Sequence, residues 1–440
     1  MKSSQKICFL LLAALSFSAC SAASNSVSDS SETKKEETPA AEAAAPGVTV
    51  SEEGEGDAPY KVTFVYEDKD DSRTATAVKV QGNLQWYAFD DPVVEKFAET
   101  GDAKGAKVYN AASYTKDLFN TGYGLNDDMQ SYTLEDKGNE RFEGSVNLPG
   151  NLYYYDYVVT YDDGSEETIQ DPANPAPGNE ANGHDAGHSL VYVGDAEHTA
   201  KGQEYIYEGN GEKGTTEFVT YKAADGTEQP LQVYLPAGYD ASKEYKTLYV
   251  SHGGGGNEAE WMSIGAADNI MDNLIAAGES EPMVMVTMDN TYWEWDFAKI
   301  IENFEKNIIP YVEEHYAVSK EADDRALCGL SMGSMTTTTI MQERPDLFGA
   351  FGGFSGANVP AEMKDAEKLK TRTIYLGAGN MDMALRNDSF GTEEDRTTEG
   401  MLEKLDKNGV KYTFETKPGA HDWAYWRDAL TTFVKDHLNK

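Results

Sequence analysis

The sequence predicts two folded parts in series: an all-β, immunoglobulin-like sandwich over residues 60–195, and an α/β domain, a mostly parallel sheet flanked by helices, over residues 217–440. Three observations predict this. The chain has 440 residues, too many for one ordinary domain. Strand-type alternation with turn residues between the runs dominates up to about residue 195. Beyond residue 217 strand patterns alternate with helix patterns, as in a sheet covered by helices.

In chain order, Lys2 and Lys6 precede an apolar run over residues 7–17 and then Ser18-Ala19-Cys20. The run is too short to span a bilayer and small residues follow it, so residues 1–20 are expected to be a secretory signal peptide. The cysteine directly after Ser-Ala resembles the bacterial lipoprotein lipobox, with Phe17 where that family usually has Leu. The resemblance implies a lipid on Cys20, a membrane anchor and an extracellular, cell-surface location; cleavage nearby with a free secreted product is the alternative. Residues 21–59, rich in Ser, Ala, Glu and Thr and without an aromatic residue, are expected to form a disordered tether. Three cysteines are present, two of them within residues 1–20, so no internal disulfide is expected after processing. The chain carries 76 acidic and 37 basic residues, a formal charge of -39, which argues against nucleic acid as a partner.

Within the sandwich, "YKVTFVYE" and "TAVKVQGNLQWYAF" alternate as strands, and "RFEGSVNLPGNLYYYDYVVTYDDG" reads as two strands turning at Pro149-Gly150-Asn151. The Val-x-Val-x-Gly-Asn start, the Leu-Pro-Gly turn before "YYYDYVV" and the closing "DPANP" resemble a family 48 carbohydrate-binding module, apart from a long insertion over about residues 91–129. If sugar binds there, Trp86 and Tyr87 are the stacking platforms; burial in the core is the competing reading, and a spacer that binds nothing is the plainer one. Residues 196–216 are expected to connect the two parts.

In the α/β region strands are expected at "EFVTYK", "LQVYLP", "TLYVSH", "MVMVTM", "RALCG", "AFGGFSG", "TIYLG" and "KYTFETK". Helices are expected over residues 297–316, after Ser331, over residues 397–408 and from Trp423 to the end. "MTTTTIM", after Ser331, fits a helix poorly, because β-branched residues lose side-chain freedom there.

The chemistry centres on Gly329-Leu330-Ser331-Met332-Gly333, which lies between a strand and a helix as a nucleophile elbow requires. A serine hydroxyl needs a base, and a carboxylate to orient it, in the chain order Ser, Asp or Glu, His. Only His421 and His437 follow Ser331, and His421 lies in a loop directly after a predicted strand. Asp382, shortly after "TIYLG", is the candidate acid, with Asp388 as runner-up. "HGGGG" over residues 252–256 matches an oxyanion loop, with the Gly254 and Met332 N–H groups as donors and His252 as a structural hydrogen-bonding residue. Trp261, Tyr292, Trp293, Trp295 and Trp423 are candidates for an aromatic or sugar subsite; packing beneath the loop is the alternative. "NGHDAGHSL" places His184, Asp185 and His188 together but supplies no third imidazole or thiol, so no metal is expected.

"LQVYLPAGYD", "LYVSHGGGGNEAEW", "RALCGLSMGS", "ERPDLFGAFGGFSGA" and "GAHDWAYW" together resemble carbohydrate esterase family 1, the feruloyl and acetylxylan esterases and their esterase D relatives, an α/β hydrolase fold. Ser334 departs from the glycine many relatives have. The resemblance implies Ser331 as nucleophile, Asp382 as acid and His421 as base, no cofactor, and release of feruloyl or acetyl groups from plant cell-wall polysaccharide. A siderophore (enterochelin-type) esterase and a catalytically silent glycan-binding surface lipoprotein are the rival readings.

Overall fold

In the computed structural model, residues 44–69, 72–97, 104–121, 130–359, 362–385, 390 and 400–439 are described. The chain divides into Met1–Ala44 and Ala45–Lys440, and the elements below all lie in the second unit. The expected signal peptide, Cys20 and residues 21–43 of the expected tether lie outside the described residues.

The tether ends earlier than its composition suggests. Gly47–Ser51 is a strand paired antiparallel with Tyr60–Glu67, Gly47 opposite Val65 and Ser51 opposite Lys61. Its "GVTVS" is a short β-branched run that an average over the Ala- and Glu-rich neighbourhood hides. One sheet then orders Gly47–Ser51, Tyr60–Glu67, Arg141–Leu148 and Glu135–Gly138; the other orders Glu166–Ile169, Asn151–Tyr161, Ala75–Gly82 and Ser131–Thr133, with Ser189–Val193 also paired to Asn151–Tyr161. Alternation along "NLYYYDYVVTY" turns Tyr153, Tyr155 and Tyr157 inward. There Phe64 meets Tyr155 and Tyr66 meets Tyr157, ring centres 5.0 and 5.3 Å apart. Asp171 of "DPANP" closes this core, its carboxylate accepting from the Tyr155 and Tyr157 hydroxyls at 2.7 and 3.3 Å.

Trp86 and Tyr87 are 1% and 0% exposed. Trp86 packs on Tyr114 and Tyr153, so neither residue offers an open face for sugar and the core reading replaces the platform reading. The expected connection over residues 196–216 is likewise packed rather than loose. Ile206 and Tyr207 are buried, and Tyr207 donates to the Val193 carbonyl at 2.8 Å.

All eight expected α/β strands form one sheet: β1 (Thr215–Lys222), β2 (Glu228–Leu235), β3 (Lys246–Ser251), β4 (Met283–Met288), β5 (Arg325–Leu330), β6 (Ala350–Phe354), β7 (Thr373–Gly379) and β8 (Thr413–Lys417). Their spatial order is β1-β2-β4-β3-β5-β6-β7-β8. The β1–β2 and β2–β4 pairs are antiparallel and the rest parallel. The central strands are buried along their length, as a sheet covered on both faces demands.

Among the described residues, the helices of seven or more residues are α1 (Ala267–Ala276), α2 (Phe297–Asn303), α3 (Ile309–His315), α4 (Met332–Glu343), α5 (Met401–Lys407) and α6 (Trp423–Thr432). The helix expected over residues 297–316 is broken into α2 and α3 by a π-turn over Phe304–Ile308, ahead of a proline in the first turn of α3; that proline lacks the N–H a continuous ladder needs. α1 was not expected; Ile270, Met271 and Leu274 form its buried stripe. In α4 the threonine run is helical because each hydroxyl bonds the carbonyl four residues back: Thr336 to Met332, Thr337 to Gly333, Thr338 to Ser334 and Thr339 to Met335.

The two parts share a core. Leu152, from the outer face of the tyrosine-rich strand, is buried with Trp261, Met271, Trp426 and Phe433 of the α/β part. Arg427 of α6, 1% exposed, donates to the Ile264 carbonyl at 2.9 and 2.6 Å and to the Leu152 carbonyl at 3.4 Å.

Candidate active site

Strand β5 ends at Leu330 and α4 begins at Met332, so Ser331 alone makes the turn. Its backbone has φ 50° and ψ -116°, a region that side chains rarely adopt and that costs about 1–3 kcal/mol. The flanking glycines make that turn possible. A Cβ on Gly333 would lie 2.4 Å from the Ser251 and His252 carbonyl oxygens, and one on Gly329 would lie 2.7 Å from the Gly333 carbonyl carbon. The Ser331 N–H donates to the Phe354 carbonyl at 2.8 Å, which ties the elbow to β6. Ser334, the departure from glycine, is buried and donates its hydroxyl to the Gly356 carbonyl, a second tie between the same elements.

Asp382 follows β7 and is fully buried; its Oδ1 accepts from the Ala384 N–H at 2.8 Å and from His421 Nδ1 at 3.0 Å. His421 follows β8, and its Nε2 lies 3.0 Å from Ser331 Oγ. With Nδ1 carrying the proton toward Asp382, Nε2 is free to accept from the serine. Burial pushes the imidazole pKa down, but the hydrogen bond and charge of Asp382, reinforced by Asp422, outweigh it, and the net shift is upward. The runner-up acid Asp388 lies outside the described residues. His437 sits against Tyr375, ring centres 4.8 Å apart, at the strand-start end of the sheet among Thr247, Ala326 and Thr373.

The glycine loop follows β3 and lies over the elbow. A Cβ on Gly253 would meet Leu330 Cδ1 at 2.6 Å and Ser331 Cβ at 3.4 Å, and one on Gly254 would meet Met332 Sδ at 2.9 Å. Buried His252 fixes this loop: Nδ1 donates to the Gly253 carbonyl at 2.7 Å and Nε2 accepts from the Asn290 N–H at 3.0 Å. The first N–H groups of α4, Met332 among them, have no carbonyl within the helix to bind. Serine, imidazole, carboxylate and glycine loop thus meet at the C-terminal ends of β5, β8, β7 and β3, an arrangement that can move a proton from a hydroxyl and hold a developing oxyanion.

The aromatic candidates divide. Trp261 is fully buried, its indole N–H donating to the Ser251 carbonyl at 3.0 Å, and Trp293 is 8% exposed within the core. Both are core residues, so the subsite expectation is corrected for them. Tyr292 is 40% exposed, its hydroxyl donating to Asp225 at 2.6 Å. Trp295 is partly buried against His252, and Trp423 stands edge-on to Trp426, whose own ring packs edge-on to His421 at 5.2 Å.

Three residues at the site escaped the sequence reading. Asp422 caps α6, accepting from the Ala424 and Tyr425 N–H groups at 3.1 and 3.3 Å; an Asp before a helical run is a legible cap signal. Ser355, at φ 63°, accepts from the Trp426 indole at 2.8 Å. The Glu260 carboxylate lies where a Cβ on Gly256 would strike it, and burial pushes its pKa up to about 7.

The "NGHDAGHSL" residues separate. His188 pairs with Asp156 at 2.6 Å and His184 with Glu258 at 2.7 Å. His184, Glu258 and Asp289 are the described residues that could hold a cation, their ligand atoms within 4.8 Å of one another. Glu258 is already engaged by Asn179, Asn182 and His184.

Residues 223–437 match the family described as putative esterase. The chain is 33% identical over 248 residues to an endo-1,4-β-xylanase/feruloyl esterase of Xylanibacter ruminicola, covering 52% of this chain and 32% of that one. It is 31% identical over 246 residues to endo-1,4-β-xylanase Y of Acetivibrio thermocellus, covering 49% of this chain and 23% of that one. It therefore spans a third or less of the length of these relatives. Among solved structures, a ferulic acid esterase of Anaeromyces mucronatus is similar with a TM-score of 0.45 and 24% identity, over 53% of this chain and 94% of that one. The enterobactin esterase of Shigella flexneri is similar with a TM-score of 0.48 and 15% identity, over 86% of this chain and 92% of that one.

Proposed function

We propose that this protein, a serine esterase, releases feruloyl groups from ester-bearing xylan. Ser331 Oγ attacks the ester carbonyl carbon while its proton passes to His421 Nε2. Asp382 stabilises the imidazolium, and the Gly254 and Met332 N–H groups hold the oxyanion. Collapse breaks the ester bond, His421 returns the proton to the departing sugar hydroxyl, and a water activated by the same imidazole hydrolyses the acyl-enzyme. The observation that carries this reading is the unbroken contact from Ser331 through His421 to Asp382, 3.0 Å at each step. The acyl group is inferred from the xylanase/feruloyl esterase relative, and Tyr292, Trp295 and Trp423 are the rings available to an aromatic acid.

The glycan that carries the ester is assigned to a cleft of about 890 Å³ between the sandwich and α6. Gly419, two residues before His421, is at its wall, and Tyr114 and Thr432 bring a ring and a hydroxyl to its lining. Its Lys417 and Lys435 are paired with Asp428 and Glu279. Methyl ferulate, acetylated xylan and a catecholate trilactone, assayed side by side, test the acyl assignment: methyl ferulate is turned over fastest, and turnover of the trilactone alone overturns it. Tyr114→Ala raises KM for a feruloylated oligosaccharide while leaving methyl ferulate unchanged; an equal effect on both removes the cleft from the reading.

The same reading puts the enzyme outside the cytoplasm on a lipid at Cys20, on the strength of residues 1–20 alone. Cys20→Ala then moves the protein from the membrane fraction to the soluble one; an unchanged partition refutes the anchor.

A further inference from the structure

The loops that carry Asp382 and His421 are joined to each other. The Asn380 N–H donates to the Lys417 carbonyl at 2.8 Å and the Met381 N–H to the Gly419 carbonyl at 2.9 Å, while Asn380 Oδ1 accepts from the Gly419 N–H at 3.3 Å. A Cβ on Gly379 would lie 2.4 Å from Gly419 backbone atoms, so the two loops have no slack between them.

What lies against the joined loops comes from the sandwich. Tyr87, Val94, Phe97, Ala106 and Phe119 form one buried cluster with Met381 and Ala420. Among the described residues, the α/β part contributes Met381 and Ala420 to the cluster's buried core, and they immediately precede the acid and the base. Tyr87 and Phe119 are opposite each other in a short antiparallel pair, Trp86–Ala88 with Leu118–Asn120, and Phe89 stacks on Phe119 at 4.3 Å. Next in the chain, fully buried Thr121 interacts with the Asp422 side chain and partly offsets the burial that raises the carboxyl pKa.

We propose that residues 86–97 and 104–121 of the sandwich are a positioning element of the esterase site, holding the Asp382 and His421 loops in register with Ser331, with Phe119 as the side chain that transmits the hold. This inference rests on the triad reading above. Its physical basis is that catalysis tolerates little misplacement: a shift of about 1 Å at the reacting groups can cost about a hundredfold in rate, and a site is only as precise as the shell that supports it. The insertion that distinguishes this sandwich from the module it resembles supplies Val94, Phe97, Ala106, Phe119 and Thr121, so the departure from that pattern lies where it meets the triad.

Phe119→Ala and Phe142→Ala, compared on methyl ferulate, test the proposal, since Phe142 is buried in the sandwich core but outside this cluster. Phe119→Ala is expected to lower kcat about tenfold with KM little changed. It also moves the acid limb of kcat/KM to lower pH, because the groups that raise the His421 pKa, Asp382 from the β7 loop and Asp422 on its own segment, are held less closely. Phe119→Leu restores most of the rate. Phe142→Ala lowers thermal stability and leaves kcat per folded molecule and the acid limb where they were. Equal kcat losses in the two alanine variants, or an unmoved acid limb in Phe119→Ala, overturn the proposal. Should Phe119→Ala fail to fold, Thr121→Val gives the same reading: an acid limb at lower pH, restored by Thr121→Ser, supports the proposal, and an unchanged limb overturns it. Ser331→Ala separates the premise from the inference: hydrolysis that persists there defeats the triad itself, whereas a dead Ser331→Ala beside a fully active Phe119→Ala defeats only the positioning role.

Discussion

At the scale of single residues, the proposed mechanism makes the neutral His421 imidazole the working base, so kcat/KM falls as pH drops through its pKa. Burial would lower that pKa, and Asp382 and Asp422 raise it further than burial lowers it, which sets the acid limb above the ordinary value of 6.5. Asp382→Asn removes the larger carboxylate contribution and leaves the burial. The limb then moves to lower pH and kcat falls about a thousandfold or more, because the amide can hold the wrong tautomer. A pH-rate profile of the two proteins measures both; a limb that stays in place contradicts the role assigned to Asp382. Ser331, Asp382 and His421 could be picked out of the sequence because acyl transfer needs those groups in a fixed chain order at strand ends. Trp261 and Trp293 could not be sorted from Trp295 and Trp423, because exposure is a property of the packed loop and not of its composition.

Individual elements show where local preference yields to context. Helix α4 carries four consecutive threonines, yet each hydroxyl satisfies a carbonyl of the preceding turn. Thr338 does more, because its oxygen also accepts from the Asn358 N–H at 2.9 Å. Thr338→Val therefore leaves a donor unpaired and costs about 1–3 kcal/mol, whereas Thr337→Val, which loses only a bond within the helix, costs about 1 kcal/mol or less. Denaturant unfolding of the pair checks the difference, and equal losses contradict it. All eight strands of the large sheet were legible: the buried parallel ones read as apolar runs, and the edge strands β1 and β8 read as β-rich stretches that alternate apolar and polar residues. Strand Gly47–Ser51 was not legible, since five residues beside a polar tract lose their signal, and helix α1 was missed although its apolar spacing is helical.

For the molecule as a whole, the shared core means that residues 45–440 are expected to unfold in one transition. Leu152 is buried among α/β side chains, and Arg427 bonds carbonyls on both sides. Arg427→Ala empties a fully buried site and strands the Ile264 and Leu152 carbonyls, which costs about 3 kcal/mol or more. Calorimetry on the wild type is expected to give a single peak, and on Arg427→Ala a peak at lower temperature; two well-separated transitions in the wild type would contradict a common core. The sequence placed the boundary between the parts within a few residues of β1 but not their union, because an interface formed by alternate residues of one strand looks the same as a solvent-facing side until its partner is known. That union bears on descent and on engineering. A catalytic part whose neighbouring module supplies part of its interior cannot trade that module for another by simple recombination: a transplant of residues 215–440 would leave Arg427 without the Leu152 carbonyl and the cluster around it without the Leu152 side chain, so the pair is expected to travel between genomes as one cassette.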